Sequence, residues 1–327
     1  MTTDAQTENL LEPIAAELRE FEQRLATTVA EDLGPMSAAM NHIVRAGGKR
    51  LRPALVILSA KLGEADPDHI YNTAMGIEFI HTATLVHDDL IDDAETRRGM
   101  ATIHALLGVN PAIIVGDYYF AKGANLTAAI GMPIIDVIIS RAVMTICMGE
   151  LLQLTSKRDY DQSVEEYYRK IERKTAALLS ASCYCGGIVA RLDETRAQAL
   201  ERFGHHLGMA FQIADDVLDY VATEAQIGKP VGADLRQGTI TLPLMYALRD
   251  VDGPGRRIRE LLGRDPMGEE AYDEVVELVR TSSAIAQAER HAHEFADRAS
   301  AELAVFPKSE PRDVLEKVCD YVVERRL

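Results

Sequence analysis

The sequence has no tryptophan, few other aromatic residues and only four cysteines among its 327 residues. A core must therefore be built mainly from aliphatic side chains, and alanine, leucine and methionine favour helices. No C-x-x-C pair occurs among Cys147, Cys183, Cys185 and Cys319. We interpret the cysteines as small buried apolar residues in a reducing compartment, and not as a metal or redox site.

Long apolar runs and an excess of basic charge are also absent. The most apolar stretch is interrupted by Pro133, Asp136 and Arg141, whereas a membrane span needs about twenty apolar residues. The N-terminus lacks the basic and apolar regions of a secretory signal. A formal net charge of −16 argues against nucleic-acid binding, which requires a basic face. We therefore expect a soluble cytoplasmic protein, although an apolar product could bring it into peripheral contact with a membrane.

Helical periodicity dominates what remains. Strand-like alternation is nearly absent, and apolar residues recur at three- and four-residue steps. Two clear stripes consist of Leu10, Ile14, Leu18 and Phe21, and of Phe203, Leu207, Ala210 and Phe211. Glycine and proline separate such segments at short intervals, without a flexible linker. The pattern predicts ten or more helices in one all-α domain that spans residues 1–327.

Two apolar helical segments end in the same motif, Asp-Asp-x-x-Asp. In the first motif, Asp88 and Asp92 are four residues apart and share one face of a helix, while Asp89 points away from them. Asp215 and Asp219 repeat this arrangement in the second motif. Carboxylates on one face repel each other, and a divalent cation removes that repulsion. Mg2+ suits such sites, because it prefers a few carboxylate oxygens together with substrate phosphates.

Basic residues occur near both motifs, as a bound diphosphate requires. The positions are Lys49 and Arg52 in GGKRLRP, Arg97 and Arg98 after the first motif, Lys174 in a helical stretch, and Lys229 after the second motif. Arginine pairs with phosphate oxygens through its planar fork, and lysine acts as a mobile charge. Each residue alone is more typical of a solvated surface, but together they predict two anion sites separated by metal ions.

His81 precedes Asp88 by seven residues, or about two helical turns. It is either a donor to a phosphate or an ordinary buried histidine. Glu78-x-x-His81 also matches half of a di-iron motif of helical bundles, but the sequence holds no second Glu-x-x-His. A di-iron site is therefore not expected.

Five segments in order resemble the trans-polyprenyl diphosphate synthase family over nearly the whole chain. They are GGKRLRP, HDDLIDDAETRRG, Lys174-Thr175, FQIADDVLD and GKPVGADLRQGTITLPL. The resemblance implies an all-α, single-domain bundle of the isoprenoid-synthase type, with a deep central cavity and usually a homodimer. It also implies a prenyltransferase that elongates an allylic diphosphate by 1'-4 condensation with isopentenyl diphosphate. Two or three Mg2+ ions per active site would assist, and no side-chain nucleophile would be needed.

The same resemblance assigns roles to individual residues. Asp88, Asp92 and Asp215 would bind Mg2+ bridged to the allylic diphosphate, and Asp219 would act through water. The allylic diphosphate would be held by Arg97, Lys174, Thr175, Gln212 and Lys229, and isopentenyl diphosphate by Lys49, Arg52, His81 and Arg98. Asp88, Asp92, Asp215, Lys174 and Lys229 would carry the catalysis. Thr239 replaces a lysine that is frequent in the family, which puts one basic contact in doubt.

Product length is expected to depend on the positions four and five residues before Asp88. In the family, bulky aromatic residues there stop elongation at farnesyl diphosphate, whereas this chain has Thr84 and Ala83. Phe79 is either a cavity floor or an ordinary core residue, and the helix that follows Gly116 contributes as well. We expect an all-trans medium- or long-chain product, with geranylgeranyl diphosphate as the alternative.

Two other classes of function share part of this pattern. A terpene cyclase would have the first aspartate motif but would not need GGKRLRP, and its second metal motif usually differs. A non-catalytic subunit of a heteromeric synthase, or a lipid-carrying helical bundle, would be expected to have lost the aspartates. This chain retains both motifs, which favours the elongating enzyme.

Overall fold

The computed structural model describes residues 9–30, 50–97, 99–223, 231–264 and 266–324. Its helices and strands are α1 (Ala15–Ala30), α2 (Leu51–Ala60), α3 (Pro67–Ile91), β1 (Thr96–Arg97), β2 (Met100–Ala101), α4 (Ile103–Leu107), α5 (Val109–Ala128), α6 (Pro133–Thr155), α7 (Val164–Ile171), a π-helix (Glu172–Ala176), α8 (Ala177–Val189), α9 (Glu194–Val221), α10 (Ala233–Arg236), α11 (Leu242–Arg249), α12 (Pro254–Leu262), α13 (Glu269–Arg280), α14 (Ala284–Glu302) and α15 (Glu310–Glu324). Short 3-10 turns cover Glu12–Ile14 and Leu303–Val305. The predicted all-α class is confirmed.

One small β-hairpin interrupts the helical pattern. β1 pairs antiparallel with β2, with Thr96 opposite Ala101 and Arg97 opposite Met100. Gly99, in the connecting turn, has a φ of 75°, which glycine adopts without steric cost. Strands of two residues leave no periodic signal, and the sequence analysis therefore missed this hairpin.

Local signals set the starts of two helices, α3 with the first aspartate motif and α7 before the π-helix. Asp66 caps α3 by accepting a hydrogen bond from the Asp68 N–H, and Pro67 takes the first helical position, where its missing N–H is not needed. Ser163 and Glu166 form a reciprocal capping box at the start of α7, so that two backbone donors are satisfied.

The chain contacts divide into two compact units. The first comprises Met1–Val143, Leu178–Glu201 and Leu303–Lys317, and the second comprises Met144–Ala177, Arg202–Glu302 and Val318–Leu327. The first aspartate motif belongs to the first unit and the second motif to the second unit.

In the first unit, α3 and α5 pack at very close range. A Cβ atom on Gly123 would lie 2.6 Å from the Gly76 carbonyl oxygen, and one on Gly116 would lie 2.0 Å from the His87 ring nitrogen Nε2. The missing side chains therefore permit this approach of the two helices. Phe79 stacks on Tyr119, with ring centroids 5.4 Å apart.

The core of the second unit consists of aliphatic side chains, with two buried tyrosines, Tyr167 and Tyr220, among them. It draws on α7, α9, α11, α12, α13 and α14. The core is thus built mainly from Leu, Ile, Val and Ala, as the composition without tryptophan predicts.

Both predicted apolar stripes lie on helices and turn inward. Ile14 and Phe21 are buried in the first stripe, and Phe203, Leu207 and Ala210 in the second. Among the cysteines, Cys183, Cys185 and Cys319 are buried as expected, and burial raises the pKa of Cys183 to about 12. Cys147, on α6, is exposed, so the prediction of a buried residue was wrong there.

No helix in the described part of the chain is both long enough and apolar enough to cross a membrane.

Candidate active site

The first aspartate motif lies at the C-terminal end of α3. Asp88 and Asp92 are both partly exposed, and the Asp92 N–H donates to the Asp88 carbonyl at 2.8 Å as the helix ends. Asp89 is buried on another side of the helix, as its quarter-turn offset predicts. Two partly exposed carboxylates thus share one face, and the third is set apart.

The buried Asp89 is held by Arg97 on strand β1. The Arg97 Nε–H donates to Asp89 Oδ1 at 2.6 Å. Burial raises the pKa of Asp89, and the guanidinium opposes that rise. This bond uses the Nε–H of Arg97. The N–H groups on the two terminal nitrogens of the guanidinium can therefore still contact an anion. The hairpin therefore fixes a predicted diphosphate-binding arginine beside the motif.

Arg52 and His81, predicted to share one substrate, lie together in the first unit. Arg52 Nη1 donates to His81 Nε2 at 3.0 Å. Because a guanidinium can only donate, Nε2 of His81 is an acceptor here, and a phosphate would have to be met by its Nδ1–H. The donor role considered for His81 is thereby restricted to Nδ1.

Arg50 anchors the start of α2, close to Arg52 in sequence. Its backbone lies in the left-handed region, with a φ of 47°. Its guanidinium pairs with the buried Glu78 at 2.6 Å and also with Glu22. Glu78 is thus the buried ion-pair partner of Arg50. Sequence reasoning missed this tether, because its partners are distant in the chain.

In the second motif the three aspartates have three different environments. Asp215 is exposed, whereas Asp216 and Asp219 are buried. Asp219 Oδ2 accepts from the Asp234 N–H at 3.1 Å, and its carbonyl accepts from Gly232 at 2.8 Å. Asp219 therefore holds the start of α10 through its Oδ2 and its backbone carbonyl.

Burial and nearby Asp234 raise the pKa of Asp216 to about 8. Two donated hydrogen bonds oppose this rise: Tyr167 O–H to Oδ2 at 2.7 Å and Gln212 Nε2–H to Oδ1 at 2.8 Å. The Gln212 carbonyl in turn accepts from the Thr175 hydroxyl at 2.6 Å. Two residues predicted to bind the allylic diphosphate, Gln212 and Thr175, are thus hydrogen-bonded to each other.

Lys174 and Thr175 lie in the π-helix Glu172–Ala176, an irregularity often found at functional sites. Lys174 Nζ pairs with Glu150 Oε1 at 3.0 Å. A Cβ atom on Gly149 would lie 2.9 Å from the Lys174 backbone nitrogen, so the glycine lets α6 approach the π-helix closely. Glu150 was missed in the sequence; the only signal was a Gly-Glu pair in the second half of a mainly apolar helix.

Three predicted site residues, Lys49, Arg98 and Lys229, lie outside the described residues. Thr239, which replaces the frequent lysine, donates its backbone N–H to the Asp234 carbonyl at 2.8 Å. It thereby joins the same loop that Asp219 holds.

The donor chemistry of the two motifs fits Mg2+ that also binds substrate. Within the described ranges, no three His, Cys, Asp or Glu side chains converge on one point. Each motif instead offers aspartates of which only one or two are accessible. Mg2+ commonly binds one or two carboxylates, with phosphates and waters completing the octahedron.

Known structures resemble this chain closely. A polyprenyl synthase from Caulobacter crescentus CB15, solved with calcium and isoprenyl diphosphate, has a TM-score of 0.92 and 35% identity, covering 98% of both chains. A heptaprenyl diphosphate synthase from Staphylococcus aureus has a TM-score of 0.90 and 33% identity, covering 95% of this chain and 98% of its own. The fold is the all-α isoprenoid synthase fold.

Sequence comparison defines the family. The polyprenyl synthetase pattern matches residues 35–279. Component 2 of heptaprenyl diphosphate synthase from Geobacillus stearothermophilus is 36% identical over 320 residues, which cover 95% of this chain and 97% of the relative. The chain belongs to the polyprenyl synthetase family. The predictions of a prenyltransferase and of a medium- or long-chain polyprenyl diphosphate synthase are confirmed.

Proposed function

We propose that this synthase ionises an allylic diphosphate in a Mg2+-dependent step and joins the resulting cation to isopentenyl diphosphate. The proposal rests chiefly on Asp88 and Asp92, accessible on one face at the end of α3. The calcium and isoprenyl diphosphate bound to the Caulobacter relative support it. Asp88, Asp92 and Asp215 would hold two or three Mg2+ ions, which when bound would supply positive charge against the leaving diphosphate.

The chain's own residues would bind and orient the two diphosphates. Arg97, Lys174, Thr175, Gln212 and Lys229 would hold the allylic diphosphate, and Lys49, Arg52, His81 and Arg98 would hold isopentenyl diphosphate. As the allylic C–O bond breaks, fixed cations stabilise the charge that develops on the leaving group. The isopentenyl double bond then attacks C1 of the allylic cation. The condensed cation loses a proton to the released diphosphate, which restores a double bond. Both units would act as one synthase domain, because the family pattern at residues 35–279 runs through both.

Product analysis tests this function directly. Purified protein is incubated with labelled isopentenyl diphosphate, Mg2+ and, in turn, geranyl, farnesyl or geranylgeranyl diphosphate. We expect a ladder of products that extends beyond geranylgeranyl diphosphate. Products that end at geranylgeranyl diphosphate would support the shorter-chain alternative. Folded protein that elongates none of the primers would contradict the proposal and favour a non-catalytic subunit or a lipid carrier.

We also propose a homodimer, formed through an apolar face of the first unit. Several apolar side chains on α4 and α5 are exposed, namely Leu106, Leu107, Val109, Ile113, Ile114 and Tyr118. Contiguous exposed apolar patches commonly mark protein–protein interfaces. The dimer, a cytoplasmic location and peripheral membrane contact during product release stay predictions.

Replacing Ile114 with glutamate is expected to convert the dimer into monomers, because it places a charge in an apolar interface. Sedimentation velocity measures the change. Val251→Glu is the matched control, since Ile114 and Val251 are exposed by 63% and 58% and Val251 lies in the other unit. A wild-type chain that is itself monomeric would contradict the homodimer and favour a heteromeric enzyme. That alternative is raised by the Geobacillus relative, whose name makes it one component.

A further inference from the structure

Tyr167 is a fully buried residue of α7 that carries a hydroxyl into the core of the second unit. Its ring contacts Tyr168, with centroids 5.7 Å apart, and Lys170 Nζ lies 5.7 Å from the ring centroid. Packing alone would be served equally well by phenylalanine. The hydroxyl instead donates to Asp216 Oδ2 at 2.7 Å, across 49 residues of sequence.

Asp216 connects that hydroxyl to Gln212. Its second oxygen, Oδ1, accepts from Gln212 Nε2 at 2.8 Å. The NH2 group of the Gln212 amide can only donate and its oxygen can only accept, so the bond to Oδ1 comes from the nitrogen end of the amide. The oxygen end of the amide then faces Thr175, whose hydroxyl donates to it at 2.6 Å. The Gln212 amide is thereby fixed at both ends.

The four side chains form one continuous series of hydrogen bonds, from Tyr167 through Asp216 and Gln212 to Thr175. Only its last two members belong to the proposed allylic diphosphate site. Asp216 is 3% exposed and Tyr167 is 0% exposed, so neither is accessible to a substrate. Without the Tyr167 hydroxyl, Asp216 would lose one of its two fixed donors and could turn away from Gln212.

We propose that Tyr167 is a positioning residue: it holds Asp216 so that Asp216 orients Gln212, whose second amide N–H can then donate to the allylic diphosphate. This role rests on the proposed function, which assigns Gln212 and Thr175 to that substrate. Tyr167 touches no reacting atom, and its effect passes through the orientation of other side chains. Buried polar networks of this kind hold their members in one arrangement when every group is satisfied.

Tyr167→Phe removes the hydroxyl and keeps the ring. We expect weaker binding of the allylic diphosphate, with its KM raised about tenfold, since the buried hydrogen bond that holds Asp216 in place is lost. The KM for isopentenyl diphosphate and the Mg2+ dependence should not change. Tyr220→Phe is the matched control, because Tyr220 is equally buried in the same core and its hydroxyl contacts Thr241. It should reproduce any loss of stability without the change in allylic KM.

A double-mutant cycle separates positioning from a general packing effect. Gln212→Ala removes the side chain through which Tyr167 is proposed to act. In that background, Tyr167→Phe should raise the allylic KM little further, because coupled residues are not additive. Full additivity of the two changes would overturn the positioning role. So would a Tyr167→Phe variant whose only defect is a higher Mg2+ requirement.

A direct binding measurement distinguishes failure of the Tyr167 role from failure of the proposed function. Calorimetry with farnesyl diphosphate and Mg2+ measures affinity without turnover. Wild-type protein that binds, with Tyr167→Phe binding about tenfold more weakly, supports the role. Equal affinity of the two proteins overturns the role and leaves the synthase function intact. Wild-type protein that binds no farnesyl diphosphate overturns the proposed function, and the role of Tyr167 with it.

Discussion

Replacing Asp88 with asparagine should lower kcat/KM for the allylic diphosphate by about 10²- to 10³-fold, the usual loss when one stabilising contact to developing charge is removed. Asparagine retains the shape of the side chain but halves the negative charge that Asp88 and Asp92 offer to a cation. Asp88 also precedes the end of α3, where its carbonyl accepts from the Asp92 N–H. Because that contact is made by the backbone, the helix end should survive the substitution. Steady-state kinetics across a Mg2+ titration would show a higher Mg2+ requirement as well as slower turnover.

The neighbouring Asp93 provides a control for the Asp88 substitution. Its side chain is 95% exposed and lies 3.6 Å from His104, and its φ is 51°. Asparagine tolerates that left-handed conformation better than most residues. Asp93→Asn therefore makes the same change of charge in the same acidic run without strain, and it should keep nearly full activity. If Asp88→Asn retained wild-type turnover at low Mg2+, or if both variants lost activity equally, the assignment of Asp88 to the metal would be wrong.

The sequence predicted helical faces well because a face depends only on local spacing. The shared face of Asp88 and Asp92, and the different direction of Asp89, follow from residues within one turn. Partners from distant segments were not predictable in this way. The same spacing made Asp219 look equivalent to Asp92, yet Asp219 holds the backbone of Asp234, fifteen residues away.

Contacts between buried polar side chains were even less predictable from the sequence. Tyr167 looks like one core aromatic among several in the sequence, and only the fold brings its hydroxyl to Asp216. The Arg50 tether to Glu78 likewise joins residues 28 apart. Neither contact has a periodic signal, because each is a single bond between two helices. Sequence motifs thus identified the residues proposed to touch substrate, but not those that hold them in place.

Ala83 and Thr84 were treated alike in the sequence, and the structure separates them. Ala83 is fully buried and lies on the stripe of Gly76, Ile80 and His87, which packs against α5. Thr84 lies one turn before Asp88, is partly exposed, and donates its hydroxyl to the His81 carbonyl at 2.7 Å. Phe79, the third candidate for product length, is buried and stacked on Tyr119.

A phenylalanine at position 84 should therefore shorten the product, and one at position 83 should mainly destabilise the protein. Thr84→Phe places a ring on the Asp88 face of α3, one turn deeper than the proposed metal, where a growing prenyl chain would pass. We expect products that end at farnesyl or geranylgeranyl diphosphate. Ala83→Phe inserts a ring between helices whose backbones already touch, and such overpacking costs about 1–3 kcal/mol or more.

Product chromatography and thermal unfolding measure these two outcomes separately. Thr84→Val is the control for position 84, because it removes the hydroxyl at nearly constant volume and should leave both the product ladder and Tm close to wild type. If Ala83→Phe shortened the product at an unchanged Tm while Thr84→Phe kept the long ladder, the path of the growing chain would run along the Ala83 side of α3. The close contact between α3 and α5 at Gly76, Gly116 and Gly123 argues against that path, because it leaves no space for a prenyl chain between the two helices.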